Sequence, residues 1–267
     1  MSALAEPKFA WEPVTPRGVA VFARASYERL LVVQCLVAAL ATAAILWLLT
    51  DGVFPTISTA INHLPDTGAL RNASLDWQGD DPVMLAEGNI LALSVDLTHG
   101  GALRSPADFQ LEFGKKSVRA FSLLGEMEIP YPPEYIVAAN RPEARPAWRA
   151  WSPEILGLVA ASVFFGLLLT WTVLATIYAA PVWLIAFFAN RDLGLTASWK
   201  LAAAALLPGA LLLTLAIVAY DFGLCDLVQL GGAFGLHFVI GWIYLFVSPL
   251  FLARALPADK KNPFGAK

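Results

Sequence analysis

Long apolar runs flank one long polar stretch in this chain. Charged side chains are almost absent from residues 30–54 and 155–254, whereas residues 62–149 carry many charges, prolines and glycines. A bilayer core about 30 Å thick needs roughly 20 apolar helical residues at 1.5 Å rise per residue. Four runs meet this length: residues 30–49, 155–178, 201–220 and 230–253. The pattern predicts an α-helical membrane protein with about four transmembrane helices.

The first run could instead be a cleaved secretory signal, because Arg24 and Arg29 precede it. A cleaved signal has a shorter apolar region, about 7 to 15 residues, and ends in small residues. Here the run is longer, and Trp47 and Asp51 follow it. A retained anchor is the better interpretation.

The polar stretch between the first two runs predicts a small, mainly β domain. Apolar residues alternate at Leu91, Leu93, Val95 and Leu97. Over residues 109–113, polar Gln110 and Glu112 alternate with phenylalanines and a leucine. Such period-two patterns are typical of half-buried strands. Residues 114–116 predict a hairpin turn, and residues 118–124 predict the strand that follows it. Residues 73–77 predict one further strand. We expect four to six strands in one sheet or a small sandwich.

Prolines dominate the return from this domain towards the second apolar run. They stand at Pro130, Pro132, Pro133, Pro142, Pro146 and Pro153. Proline disfavours helix interiors and central strands, so a semi-rigid linker is predicted. The following apolar run, residues 155–189, is longer than one membrane crossing requires. Pro181 therefore predicts a break in the helix near residue 177. After the break we expect a short interfacial helix or, alternatively, a re-entrant segment.

The basic residues of the short loops predict the orientation. They lie before the first run (Lys8, Arg17, Arg24, Arg29), between the second and third (Arg191, Lys200) and after the fourth (Arg254, Lys260, Lys261, Lys267), whereas residues 221–229 have none. The positive-inside bias therefore predicts two cytoplasmic termini and an extracytoplasmic segment at 56–150, as in a bacterial inner-membrane protein.

The predicted organisation has five parts. They are a cytoplasmic tail (1–29), the first transmembrane helix (30–54), an extracytoplasmic β-rich domain with its Pro-rich linker (55–152), transmembrane helices two to four with a cytoplasmic interfacial segment near 181–199 (153–254), and a second cytoplasmic tail (255–267).

Composition agrees with a membrane protein. The chain of 267 residues is 58% hydrophobic and 15% charged, against about 25% charged in soluble domains. A net charge of −3 is too small to indicate a nucleic-acid partner. Cys35 and Cys225 form no disulfide framework. No cofactor is predicted, and the expected partners are the lipid bilayer and other membrane or envelope proteins, or a second copy.

No familiar catalytic pattern occurs in the sequence. His237 is the one ionisable side chain placed well inside a run, and intramembrane ionisable groups are functional candidates. The favoured interpretation is nonetheless structural: a neutral histidine bonded to a neighbouring helix near Gln34, Tyr244 or Ser248.

Three groups of carboxylates and histidines remain as weaker candidates. Asp221 and Asp226, beside Cys225, could bind a cation on the outer side, although carboxylates in a polar turn are more often simply solvated. The pairs His63 with Asp66 and Asp96 with His99 carry metal-ligand chemistry without a diagnostic spacing.

Small residues and prolines in the runs predict helix geometry. Gly231 with Gly235, and Ala205 with Gly209, are small-x-x-x-small pairs that permit close helix packing. Kinks are expected at Pro181, Pro208 and Pro249.

Several motifs carry a resemblance to a known family. They are Tyr27 with Arg29, Leu64-Pro65, Val95-Asp96-Leu97-Thr98, and Ser198-Trp199-Lys200-Leu201-Ala202 continuing to Pro208. In this order they resemble a bacterial family of multi-pass membrane proteins catalogued as a domain of unknown function, some members of which are labelled maltodextrin-utilisation membrane protein. The last block is also similar to the Yip-like membrane families. The resemblance implies no catalytic residues.

The leading functional hypothesis is therefore non-enzymatic. An extracytoplasmic β-domain would sense, bind or scaffold an envelope component, as a single protein or a complex subunit. The alternative is a transport component, motivated by Pro208, Pro249, Gly231, Gly235 and His237 in adjacent runs. A third, weaker hypothesis is an intramembrane enzyme acting on lipid or peptide near Asp221 and Asp226.

Overall fold

The computed structural model describes residues 13–134 and 136–255. Within them, four helical stretches are long and apolar enough to cross a membrane: Tyr27–Asn62, Arg141–Phe188, Leu195–Asp221 and Leu227–Phe251. A small β region lies between the first and second of these stretches in the chain. The predicted combination of apolar helices and an inserted β region is thus present.

The described helices and strands follow in chain order. The helices are α1 (Pro16–Val21), α2 (Tyr27–Trp47), α3 (Phe54–Asn62), α4 (Arg141–Phe188), α5 (Leu195–Ala205), α6 (Leu207–Asp221) and α7 (Leu227–Val247). The strands are β1 (Gly68–Arg71), β2 (Ser74–Trp77), β3 (Val83–Glu87), β4 (Leu91–Val95), β5 (Phe109–Phe113), β6 (Ser117–Ser122), β7 (Gly125–Pro130) and β8 (Val137–Ala138).

The chain divides into two compact units. Among the described residues, the helical unit comprises 13–42, 162–216 and 228–255, and the β-containing unit comprises 43–134, 136–161 and 217–227.

Helix α5 lies at the centre of the helical unit. Its residues Leu201–Ala205 have no exposed surface and pack with Val19 and Phe22 near the start of the chain. Alanine side chains allow this close approach because they add little bulk. The Lys200 ammonium donates to the Ala25 carbonyl at 2.7 Å, which ties α5 to the turn before α2.

Helix α4 corrects the predicted proline-rich linker. The linker ends at residue 140, because α4 begins at Arg141 and includes Pro142, Pro146 and Pro153. The Asn140 side chain accepts a hydrogen bond from the Glu143 N–H at 3.0 Å and donates to the Glu143 carboxylate at 3.2 Å. The hydrogen bond from the Glu143 N–H caps the start of the helix. Pro142 is tolerated in a first turn whose N–H groups have no intrahelical partner, whereas Pro146 and Pro153 lie in the helix interior.

The predicted break near residue 177 is also absent. Helix α4 continues through Pro181 to Phe188, a total of 48 residues. At 1.5 Å per residue it is roughly 70 Å long, more than twice the thickness of a bilayer core. The next helix starts only at Leu195.

The β-containing unit has two sheets. One has the strand order β2-β1-β8, all antiparallel; the other has the order β3-β4-β5-β6-β7, in which only β4 and β5 are parallel. Apolar residues of both sheets and of α3 form one core, including Leu75, Leu85 and Val95. The strands predicted around 73–77, 91–97, 109–113 and 118–124 are present, but the second ends at Val95 and the last at Ser122. The described residues form eight strands in two sheets, where four to six strands were expected.

The second face of β5 differs from the prediction. Gln110 and Glu112 were expected on an open, polar side of a half-buried strand, but their residue exposures are 3% and 0%. The segment 96–105 covers this face, and Arg104 in that segment donates to Glu112 at 3.1 Å. Both sides of β5 are therefore covered.

Candidate functional site

An apolar cavity of about 260 Å³ lies inside the β-containing unit. Leu75 from the smaller sheet and Leu85, Val95 and Phe113 from the larger one form much of its wall. Side chains from α3, β8 and the first turn of α4 complete it, among them Ala144. The cavity thus occupies the space where the two sheets and two helices meet.

Two aromatic residues with polar groups line this cavity, and each polar group already has a partner. The Tyr131 hydroxyl donates to the Gly114 carbonyl at 3.0 Å, and the Trp77 indole N–H donates to the Asp80 carbonyl at 2.9 Å. Burial raises the pKa of Tyr131 to about 12, so the phenol stays neutral. The side chains that face the cavity therefore present hydrocarbon surface.

An apolar void of this size is costly when nothing fills it. Its lining loses packing contacts when the space is unfilled, and where the cavity is open the same apolar side chains face water. Apolar cavities do not hold water well because water needs polar partners. The cavity is therefore best stabilised by an apolar occupant.

Charged residues stand where the cavity opens. Val137, which lines it, is 52% exposed. Arg141, at the start of α4, forms an ion pair with Asp66, and its side chain is 47% exposed. Arg145 follows the lining residue Ala144 directly and is exposed. Exposed Glu143 directly precedes Ala144. The charged residues next to this part of the lining therefore carry both signs, whereas the interior is apolar.

A second cavity, of about 430 Å³, contains the predicted candidates Asp221 and Asp226. Asp51 and Asp108 also line it, so the structure brings four aspartates around one space. Asp108 and Asp51 were not recognised in the sequence because they lie more than 100 residues from the turn at 221–226. The Tyr220 hydroxyl donates to the Asp108 carboxylate.

Asp221 is the most enclosed of these carboxylates. Neither of its oxygens is solvent-accessible, and neither accepts a hydrogen bond of ordinary geometry from the described residues. Gly52 makes this arrangement possible, because a Cβ there would lie 2.5 Å from the Ile90 Cδ1 and 3.3 Å from an Asp221 oxygen. The described residues contain no group of three or more histidine, cysteine or acidic side chains placed to hold a metal ion. The four aspartates line one space, but their carboxylates are not placed to bind a common metal ion.

The two other pairs considered as metal ligands are separated by different partners. His63 Nδ1 lies 2.7 Å from the Leu85 carbonyl, while Asp66 pairs with Arg141. Asp96 accepts hydrogen bonds from Thr98 and Gly101, while His99 contacts Glu112. The two members of each pair therefore face different partners and do not face a common metal position.

The described side-chain contacts of His237 lie within its own helix, α7. Its Nδ1 bonds the Phe234 carbonyl, and its ring lies 3.8 Å, centroid to centroid, from that of Phe238. The expected partners Gln34, Tyr244 and Ser248 do not bond it among the described contacts. The structure therefore gives His237 no described side-chain partner on another helix, and the transport alternative stays a prediction.

The small residues differ in their surroundings. A Cβ at Gly209 would lie 2.3 Å from the His237 carbonyl oxygen, so α6 and α7 approach closely there. A Cβ at Gly231 or Gly235 would meet no atom within 4 Å. Ala205, at the end of α5, is fully buried.

The prolines at the ends of helices coincide with changes in helix type. The helix is interrupted at Leu206, two residues before Pro208, and α7 gives way to a 3-10 turn that contains Pro249.

The covered face of β5 holds a polar network that the sequence analysis did not identify. Ser94, Glu112, Arg119 and Glu128 are neighbours in register across β4 to β7. His99 reaches this row from the segment 96–105: its Nδ1 lies 2.8 Å from Glu112 Oε1 and its Nε2 lies 3.1 Å from Ser117 Oγ.

This Ser–His–Glu connection resembles a hydrolase triad, but its chemistry is unsuited to catalysis. The Ser117 hydroxyl donates to the Glu128 carboxylate at 2.7 Å, so its single proton is not offered to the histidine. The hydrogen bonds from Ser117 and Arg119 lower the pKa of Glu128 and keep it charged. A second negative charge on the serine or on an attacked carbonyl would be repelled by Glu128. The network therefore fastens the segment 96–105 to the sheet.

Comparison of the chain with protein-family models, with curated proteins and with solved structures gives no match. The family resemblance stays a prediction from the sequence, and the functional argument rests on the cavities and contacts described above.

Proposed function

We propose that this protein is a non-enzymatic, multi-pass protein of a bacterial inner membrane, and that its extracytoplasmic β-domain binds the apolar part of an envelope component. The apolar cavity between the two sheets is the observation that carries this proposal. A domain that keeps such a volume lined by hydrocarbon gains stability when a ligand fills it.

The surfaces of two helices support membrane insertion. In the most apolar window of α4, and likewise of the stretch containing α7, only 11% of the residues are buried. Large apolar side chains such as Phe165, Leu169 and Phe246 are more than half exposed. Water would solvate this surface poorly, whereas lipid chains match it.

The distribution of basic side chains supports the orientation. Arg191 and Lys200 flank the turn between the second and third spans, whereas the acidic Asp221 and Asp226 flank the turn between the third and fourth. The first turn would be cytoplasmic and the second, with the β-domain, extracytoplasmic.

The proposal is tested by asking whether the cavity retains a cellular component. The full chain would be purified from its own bacterium as wild type, as Ala144→Phe and as Ala147→Phe, and extracted small molecules compared by mass spectrometry. Ala144 lines the cavity, whereas Ala147 lies one turn further along α4 and is exposed. A component held by wild type and Ala147→Phe but lost from Ala144→Phe supports the proposal. Identical extracts from all three proteins count against it.

A further inference from the structure

The lining of the apolar cavity limits what its occupant can be. With the Tyr131 hydroxyl bonded to Gly114 and the Trp77 N–H bonded to Asp80, the side chains facing the cavity offer no free hydrogen-bonding group. A ligand with hydroxyl, amide or charged groups inside the cavity would lose its hydrogen bonds to water without replacement. The enclosed part of the ligand is therefore hydrocarbon.

The volume limits the length of that hydrocarbon. An apolar cavity of about 150 Å³ accommodates benzene, so a cavity of about 260 Å³ accommodates roughly ten carbon atoms. This is less than a complete membrane lipid and matches much of one alkyl chain.

The surroundings of the opening indicate the polar end of the ligand. Arg141, Arg145 and Arg149 recur every four residues on α4 and are exposed, so they share one side of the helix. Among the described ion pairs, Arg141 pairs with Asp66, whereas Arg145 and Arg149 have no acidic partner. The positive charge on this side of α4 favours a carboxylate or phosphate head group for a ligand that extends out of the cavity past Ala144.

From these features, and resting on the proposed function, we infer that the cavity binds one alkyl chain of an anionic amphiphile. The terminal part of the chain, about ten carbons, lies between the sheets, and the acidic head lies outside near Arg141 and Arg145. Ala144 is at the boundary between the two regions because it lines the cavity while its neighbour Arg145 is exposed.

The experiment uses the full chain in phosphatidylcholine vesicles and a saturated fatty acid of about twelve carbons with a diazirine near its terminal methyl group. After irradiation, labelled peptides are mapped by mass spectrometry. Labels are expected on strands that line the cavity, at or near Leu75, Leu85 or Phe113. The corresponding fatty alcohol, which lacks the negative charge, is expected to label these strands at least about fivefold less at equal membrane concentration.

Two matched pairs of variants locate the site. Ala144→Phe should lower strand labelling at least about fivefold, whereas Ala147→Phe should not. Because a filled cavity could impair folding, Val137→Asp is the second test: Val137 lines the opening and is 52% exposed, and its neighbour Ile136, 80% exposed, provides the control Ile136→Asp. Val137→Asp should weaken labelling by the fatty acid, and Ile136→Asp should leave it unchanged.

Arg141→Gln combined with Arg145→Gln should bring labelling by the acid down to that by the alcohol. Equal labelling of the wild type by the fatty acid and the fatty alcohol would overturn the assignment of an anionic head group. Labels confined to α2, α4, α6 and α7 would overturn the alkyl-chain assignment.

The outcomes also separate this inference from the proposed function. If a cellular component depends on Ala144 but the fatty acid does not label the strands, the ligand class is wrong and the binding function stands. If neither occurs, both are wrong.

Discussion

Nδ1 of His99 lies 2.8 Å from Oε1 of Glu112, a carboxylate with no exposed surface. The second oxygen of Glu112 accepts from Arg104 at 3.1 Å. The buried Glu112 carboxylate thus binds two side chains of the segment 96–105, His99 and Arg104. The stability of that segment depends on this carboxylate.

Glu112→Gln should destabilise the β-domain by about 2 kcal/mol, within the range of about 1.5–3 kcal/mol for a hydrogen bond to a charged group. The substitution keeps the shape but removes the charge that faces Arg104 and His99. Hydrogen exchange of the β4, β5 and β6 amides measures the effect. Glu126→Gln, on the exposed strand β7, is the control and should change stability by less than about 0.5 kcal/mol. Equal effects of the two substitutions would contradict the importance of the buried charge.

Ser117 should not react with a fluorophosphonate probe. The serine is 4% exposed, and its hydroxyl proton is donated to Glu128. Labelling followed by peptide mapping provides the measurement, with a known serine hydrolase as positive control. A labelled Ser117 in the folded chain would show that the hydroxyl is activated and would restore the enzyme hypothesis.

Stability should fall in acid through Asp96. Burial acts to raise the pKa of this carboxyl, but hydrogen bonds from the Gly100, Thr98 and Gly101 backbone and from the Thr98 hydroxyl outweigh burial and hold it below its usual value of 3.8. A carboxyl with a lowered folded pKa stabilises the fold above its unfolded pKa, and this contribution is lost as pH falls through the folded value. The contribution of Asp96 to the thermal unfolding temperature should change little above about pH 5, and it should decrease below about pH 4. Asp96→Asn should show a smaller decline between these pH values.

Stability should also fall in alkali, through Tyr131. Burial raises its pKa to about 12, above the usual value of 10.0. Because the folded state holds the proton more tightly, the contribution is complete below pH 10 and is lost as pH rises towards 12. Tyr131→Phe should lack this part of the pH dependence in thermal unfolding. An unchanged alkaline profile in Tyr131→Phe would show that other groups cause it.

Ala73→Gly should stabilise the β-domain. Asn72 and Ala73 form the turn between β1 and β2 with φ of 50° and 55°, a left-handed conformation that costs a residue with a Cβ about 1 kcal/mol and glycine far less. We expect a gain of about 0.5–1 kcal/mol in hydrogen-exchange stability of β1 and β2. Ala120→Gly, in the middle of β6, should instead lose a similar amount.

Much of the larger sheet could be predicted from the sequence because alternation is a local signal. Residues 109–113 alternate, and β5 occupies them. The burial of Glu112 was not predictable in this way, since it depends on His99 and Arg104 folding back over the strand. The start of α4 was missed although a signal was present: Asn140 followed by Pro142 and Glu143 is a helix-start pattern.

The cavities were less accessible to sequence reasoning than the strands. Residues that line the apolar cavity extend from Ile61 to Ala144, and no spacing along the chain indicates which apolar residues leave a gap between them. For the second cavity, the turn containing Asp221 and Asp226 was recognised, but Asp51 and Asp108 were not.

The inserted β segment closes on itself at its two ends. β8 pairs with β1 through Ala69 and Ala138, the Arg141 N–H donates to the Pro65 carbonyl at 2.9 Å, and the Asn140 amide donates to the Gly68 carbonyl at 3.0 Å. Segments whose ends meet in this way can be exchanged without long connecting chains. The two ends of the segment from 66 to 140 are therefore adjacent, so a module with adjacent termini could be joined between Pro65 and Arg141, provided that it also covers the α3 residues that pack against the strands.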